Sequence, residues 1–226
     1  MSFSDQVPFV SPEFVDNPEP RCPCLLLLDT SGSMNGRPIG ELNAGLRTFK
    51  EELAADAMAM QRVEVALMTF GPVRVLSDFQ TVDAFEPPTL APTGDTPLGA
   101  AIMQGLDMLE TRKAAYRHAG VAYYRPWVFL VTDGAPTDPW QAAAERVRAG
   151  DSDARKSFSF FAVAVDGADM GTLGKICSPN RPPVRLKGLS FREMFTWLSS
   201  SLGGVAKSQP GQLVALPPPS GWSAVV

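Results

Sequence analysis

The sequence predicts an α/β fold: a mainly parallel central sheet with helices on both faces and one antiparallel edge strand. Three observations predict it. Continuous apolar runs, Cys24–Leu28, Trp127–Val131 and Phe158–Val165, have the length and composition of strands buried on both faces, and each is followed by an aspartate. Between them lie segments whose apolar residues recur every three or four positions, which is helical spacing. Strands that alternate with helices of this length pair in parallel and carry their helices on the sheet faces.

In chain order, residues 1–21 are rich in Pro, Ser and acidic residues without periodicity and read as an extended arm. The run Cys24–Leu28 is the first strand. Pro38 suits a first helical turn, and Ile39, Leu42, Leu46, Phe49 and Leu53 form one helix face. Residues 63–70 are strand-like and Gly71-Pro72 breaks them. Val73–Leu76 resumes at once, as a hairpin to an antiparallel edge strand does. Thr96-Pro97 opens a helix with Leu98, Ile102, Leu106 and Leu109 on one face. After the strand at 127–132, Asp138-Pro139 caps a short helix carrying Trp140, Ala144 and Val147. The strand at 158–165 closes at Asp166-Gly167, a short helix follows near 170–176, and 184–186 is an edge strand. The last helix holds Phe191, Met194, Phe195, Leu198 and Leu202 and stops at Gly203-Gly204. The Pro/Gly-rich tail, 205–226, is expected to lie on the domain, because Leu213–Leu216 and Trp222 form an apolar set that a free linker does not need. One domain, residues 22–204, thus lies between arm and tail.

Composition excludes several functions. Twenty basic and 24 acidic residues give a net charge of −4, with no dense Lys/Arg stripe of the kind that follows nucleic-acid phosphates. No apolar run approaches the roughly 18 residues of a membrane span. The N-terminus lacks a basic and then hydrophobic leader, so a cytoplasmic location is expected. Three cysteines, Cys22, Cys24 and Cys177, make no disulfide framework, and with the single His118 they fall short of a zinc set. They read as small buried thiols, and His118 as a partner for carbonyls at a helix end.

The strand ending in Asp29 continues Asp29-Thr30-Ser31-Gly32-Ser33, with a carboxylate and two hydroxyls at alternate positions. In open α/β sheets ligands bind beyond the carboxyl ends of the strands. Two later loops, Thr93-Gly94-Asp95-Thr96-Pro97 and Thr132-Asp133-Gly134, belong at the same edge. All three offer oxygen, which hard divalent cations prefer. At these residues the chain resembles the von Willebrand factor A domain, whose metal-ion-dependent adhesion site is D-x-S-x-S plus a Thr and an Asp from two later loops. The resemblance covers roughly residues 22–204 and implies a single Rossmann-like domain. Residues 17–24, Gly94-Asp95-Thr96-Pro97 and 132–138 are further similar to the bacterial YegL/TerY-like branch, associated with tellurium resistance and stress response.

The resemblance implies one Mg²⁺ (or Mn²⁺) held directly by the hydroxyls of Ser31, Ser33 and Thr96. Asp29 and Asp133 then act largely through water, orienting those hydroxyls. Uncharged direct ligands leave the ion much of its charge, and an acidic side chain of a protein partner fills the open position. Asp95 stands where the family often has Gly, and reads as a helix cap or as added charge beside the metal. The TerY-like features imply an intracellular adaptor working beside a protein kinase and a PP2C-type phosphatase. The enzyme alternative is a Mg-dependent phosphatase of the haloacid dehalogenase type, which also begins with a strand-end Asp. It needs a second carboxylate two residues later, where this chain has Ser31. No P-loop and no Ser–His pairing is present either. The expectation is a binding module rather than an enzyme.

Overall fold

A computed structural model describes Phe14 and residues 16–224. Of the expected N-terminal arm, residues 1–13 and 15 lie outside the described residues. Strands β1 (Cys22–Asp29), β2 (Val63–Phe70), β3 (Arg74–Thr81), β4 (Trp127–Thr132), β5 (Ser159–Ala164), β6 (Val184–Leu186) and β7 (Ser223–Ala224) form one seven-stranded sheet, ordered β3-β2-β1-β4-β5-β6-β7. The five strands from β2 to β6 are parallel, while β3 and β7 run antiparallel at the two edges. The mainly parallel sheet with an antiparallel edge at β3 is as expected. The second antiparallel pair comes from the tail.

Strand β1 explains the two-layer core. It is buried along its whole length, and its side chains alternate between faces. Leu26 and Leu28 join the core beneath helices α1 (Arg37–Ala55) and α6 (Phe191–Ala206). Leu25 and Leu27 join the core beneath α3 (Leu98–Ala119), α4 (Gln141–Gly150) and α5 (Met170–Ile176). A short α2 (Ala57–Arg62) leads into β2, with the Asp56 carboxylate capping its first N–H groups. The reversal of strand order lies between β1 and β4: from β1 the chain moves outward to β2 and β3, then returns to the other side of β1. Ligand crevices form at that place in such sheets.

Three local expectations differ from the structure. Strand β1 starts at Cys22 and runs through Pro23, which is tolerated because pairing with β4 begins only at Cys24. Helix α6 passes through Gly203-Gly204 to Ala206. Its apolar face carries it on, since Val205 and Ala206 are buried and Arg62 Nη1 donates to the Ala206 carbonyl at 2.7 Å. His118 is exposed; the carbonyls at the end of α3 accept instead from the Gly120 and Val121 N–H groups. All three cysteines are free and buried, and burial pushes the Cys22 and Cys177 thiols up to about 12.

After α6 the chain doubles back over the β5–β6 side. Trp197 Nε1 donates to the Pro217 carbonyl at 2.7 Å, and the Trp197 and Trp222 ring centroids are 5.4 Å apart. Trp222 is 3% exposed, and its carbonyl accepts from the Lys187 N–H at 2.8 Å. Val214 and Leu216 rest on the core, whereas Leu213 is 94% exposed.

Candidate metal centre

Parallel register brings the first and third loops together. Leu28 pairs with Val131, so the next residues, Asp29 and Thr132, leave adjacent strands side by side. Asp29 is fully buried with both carboxylate oxygens engaged: Oδ1 accepts from the Ser31 N–H at 2.8 Å and Oδ2 from Thr132 Oγ1 at 2.5 Å. The backbone then makes a 3₁₀ turn over Gly32–Met34. That turn brings Ser31 Oγ within 3.0 Å of Ser33 Oγ. Ser33 Oγ donates to Asp133 Oδ1 at 2.7 Å, across one hundred residues of sequence.

The loop at 93–97 is clamped to both others through its backbone. Thr93 N–H donates to the Thr30 carbonyl at 2.6 Å and Gly32 N–H to the Gly94 carbonyl at 3.1 Å. The Thr96 N–H donates to Thr137 Oγ1 at 3.1 Å, and the Thr137 N–H returns a bond to the Thr96 carbonyl at 3.0 Å. Beneath the junction lies Gly71, with φ +116°. A side chain there would meet Ser31 N and Thr93 O at 2.8 Å and Asp95 O at 2.9 Å, so only glycine lets the three segments converge.

Thr96 does not cap the helix it precedes. Its carbonyl accepts from the Leu98 N–H at 2.8 Å, but the next N–H groups of α3, on Gly99 and Ala100, are taken by Asp138, whose two carboxylate oxygens lie 2.9 and 2.7 Å away. This corrects two expectations. Asp138 caps α3, a distant helix, rather than the short helix that follows it, and Asp95 is exposed rather than a cap. Thr96 is left buried beside Gly134, at which a Cβ would stand 3.2 Å from Thr96 Oγ1.

Of the five residues predicted from sequence, Asp29, Ser31, Ser33 and Asp133 are thus linked by hydrogen bonds at the sheet's carboxyl edge, and Thr96 lies beside Gly134, the neighbour of Asp133. Sequence reasoning missed Thr132, which orients Asp29, and Thr137 and Asp138, which lock the second loop to the third. The signal for Thr132 was its place immediately before Asp133 at a strand end; the cap signal of Asp138 pointed to the helix that follows it and Thr137 carried none, because their partners are about 40 residues away.

Burial raises the Asp29 pKa above the usual carboxylate range, against the hydrogen bonds from Ser31 and Thr132, and the charge of Asp133 adds to the rise. Burial likewise raises Asp133, against bonds from Ser33 and Ser31. Two acids whose burial disfavours their ionisation, with no basic side chain among these contacts, suit a cation between them. The hydroxyl spacing suits it as well: an octahedron with metal–oxygen bonds of roughly 2.0–2.1 Å has edges of about 2.9 Å, close to the 3.0 Å between Ser31 Oγ and Ser33 Oγ. Among the described residues no group of three or more His, Cys, Asp or Glu forms a metal cage, so a site here depends on hydroxyls.

The profile of the von Willebrand factor type A domain matches residues 25–193, about three-quarters of the chain. The chain belongs to this family. It is a family known for metal-dependent protein interactions. Similar solved structures show the same fold. The pilus adhesin SpaC from Lactobacillus rhamnosus GG aligns with a TM-score of 0.65 and 14% identity over 84% of this chain and 31% of that one. Proximal thread matrix protein 1 from the mussel byssus aligns at 0.54 and 17% identity over 82% and 49%. The VWA domain of SpRpn10 aligns at 0.50 and 11% identity over 73% and 86%. The chain thus spans about half or less of the length of the adhesin and byssus proteins. No curated protein matches it by sequence.

Proposed function

We propose that this A domain is a metal-dependent protein-binding module whose carboxyl-edge loops hold one Mg²⁺ or Mn²⁺. The observation that carries the reading is the continuous set Ser31 Oγ, Ser33 Oγ and Asp133 Oδ1, spaced 3.0 and 2.7 Å, with buried Asp29 behind it and Thr96 alongside. Ser31, Ser33 and Thr96 would hold the ion directly, with Asp29 and Asp133 orienting them. When bound, the ion supplies an open electrophilic position suited to a carboxylate from a partner. Thr132 and the Ser31 N–H keep Asp29 from rotating, and the two Thr96–Thr137 bonds keep the second loop in reach of the third.

Binding rather than catalysis is favoured by the same geometry. A dehalogenase-type nucleophile needs a free carboxylate oxygen and a second acid two residues on. Here both Asp29 oxygens are hydrogen-bonded and Ser31 stands at the second position. The finer reading, an intracellular adaptor of TerY-like type beside a kinase and a PP2C-type phosphatase, rests on the motif resemblance at residues 17–24, 94–97 and 132–138.

Thermal and urea unfolding in EDTA and in Mg²⁺ tests the site. Metal at one hundred times its dissociation constant is expected to stabilise the wild type by about 2.7 kcal/mol, a gain that Asp29→Ala and Thr96→Ala lose. An equal metal response in all three proteins refutes the assignment. A partner captured in Mg²⁺ should lose about 2–5 kcal/mol of binding in EDTA, the scale for breaking a buried charge pair at an interface.

A further inference from the structure

The amino ends of the strands carry a second feature that the metal site does not use. A cavity of about 980 Å³ opens there, lined by six cationic side chains, Lys113, Arg117, Arg125, Arg155, Lys156 and Arg181, and by one acidic residue, Asp153. In a chain of net charge −4 this is a concentrated reversal of sign. Trp127 lines the cavity and opens β4, whereas Thr132 closes that strand beside Asp29. Five strand steps, roughly 17 Å, therefore separate this cleft from the metal centre.

Among the described residues the positive charge is only partly neutralised from within. Arg125 and Arg181 both bond a single oxygen, Oδ1 of buried Asp151, so two guanidiniums share one carboxylate. Burial and the charge of Arg181 hold Arg125 below its usual range, as crowded cations without enough anion do. Arg117 has a phenol, Tyr123 Oη at 3.3 Å, as its partner. Arg155 and Lys156 are exposed on the turn between α4 and β5, and Lys156 sits in the left-handed region at φ 48°. Lys113 is paired with Glu110 at 2.7 Å. Asp153 is bonded to Asn180 Nδ2 at 2.8 Å.

We infer that this cleft docks an acidic polypeptide segment of a protein partner that also carries an apolar side chain. The cations come from four separate chain segments around an opening of about 980 Å³, which suits a run of several carboxylates better than one compact anion. The apolar element has its own receptor: Leu213, 94% exposed, lines the opening together with Val214, Leu216, Phe161 and Trp127. A polynucleotide lacks the apolar side chain that this rim would receive. The domain would then offer two recognition ends, one dependent on metal and one on salt.

The test uses the full chain in EDTA, so it is independent of the metal reading. A short fluorescein-labelled peptide of glutamates interrupted by leucines is titrated by fluorescence polarisation, beside a lysine–leucine peptide, an oligothymidylate and inorganic phosphate. The expected result is saturable binding of the glutamate peptide that weakens as salt rises. The double variant Arg155→Glu, Lys156→Asn should lower its affinity at least tenfold without changing the thermal midpoint, asparagine being chosen because it tolerates a positive φ. Leu213→Ser should weaken it severalfold. Unchanged affinity in both variants, equal binding of the lysine–leucine peptide, or equally tight binding of oligothymidylate or phosphate overturns the proposal.

Discussion

Replacing Gly99 with alanine puts a methyl group at the point where the start of α3 touches the turn after Asp138. The added Cβ would lie 2.2 Å from the Pro139 carbonyl oxygen and 2.9 Å from the Trp140 Cα, both backbone atoms that no rotamer change can move aside. Restoring ordinary contact needs a separation of about 1 Å. That shift stretches the two bonds from the Gly99 and Ala100 N–H groups to Asp138, now 2.9 and 2.7 Å, beyond hydrogen-bonding range. Losing a helix cap costs about 0.5–2 kcal/mol and overpacking about 1–3, against about 0.5–1 recovered by exchanging glycine for alanine in a helix. Clash and cap loss win, and the net expectation is about 2–3 kcal/mol of destabilisation, or roughly 5–10 °C in Tm for a chain of this size. The proper control is Gly40→Ala on the exposed face of α1, where nothing lies within 4 Å of the new Cβ and the expected change is a gain of about 0.5–1 kcal/mol. Urea unfolding of the three proteins decides the matter. The same shift moves Thr96 relative to Asp133, so Gly99→Ala should also respond less to Mg²⁺. If Gly99→Ala is as stable as Gly40→Ala, the contact between α3 and the third loop is not the constraint described here.

Two further expectations follow from the site and the tail. Because Asp29 and Asp133 both have folded pKa values above those of the unfolded chain, the folded state binds more protons between the two values, and these groups lower stability as pH rises through that window. In EDTA, wild-type stability should therefore gain more than that of Asp29→Asn as pH falls from neutral toward about 4, a comparison made by thermal melts; parallel pH profiles for the two proteins would contradict it. Trp222→Ala removes the aromatic side chain that anchors the tail against Trp197, and should cost about 3 kcal/mol, the low end for losing a buried aromatic. Limited proteolysis should then cut within 207–221 before the domain unfolds; a variant as stable and as resistant as wild type would show that the tail contributes nothing to the fold.

Much of the architecture was legible because it is written in local patterns. Apolar runs without alternation marked β1, β4 and β5 as strands with two covered faces, and each is buried as a central strand must be. Gly71-Pro72 marked the turn to the antiparallel edge. What failed to show were features whose partners are distant. The helix stop read at Gly203-Gly204 is overridden by burial of Val205 and Ala206 and by the Arg62 bond to the last carbonyl. Asp138 looks like a cap for the helix that follows it, and is spent on one that begins 40 residues earlier.

The sequence by itself determined the fold class and the chemical kind of the site. Strand and helix periods are local, and D-x-S-x-S, Thr96 and Asp133 declare oxygen donors at strand ends. Only the tertiary structure decided that these donors meet. The 3.0 and 2.7 Å spacings depend on β1 and β4 being neighbours in parallel register, and on backbone contacts between loops from three parts of the chain. It also decided which polar residues were left free for function: Asp138 takes the cap of α3, so Thr96 does not have to. The basic cleft was equally invisible beforehand, since its six cations are spread over about 70 residues and share a surface only where the amino ends of the strands gather them. Spacing along a chain encodes short-range order, whereas charge density and ligand geometry arise between segments that folding brings together.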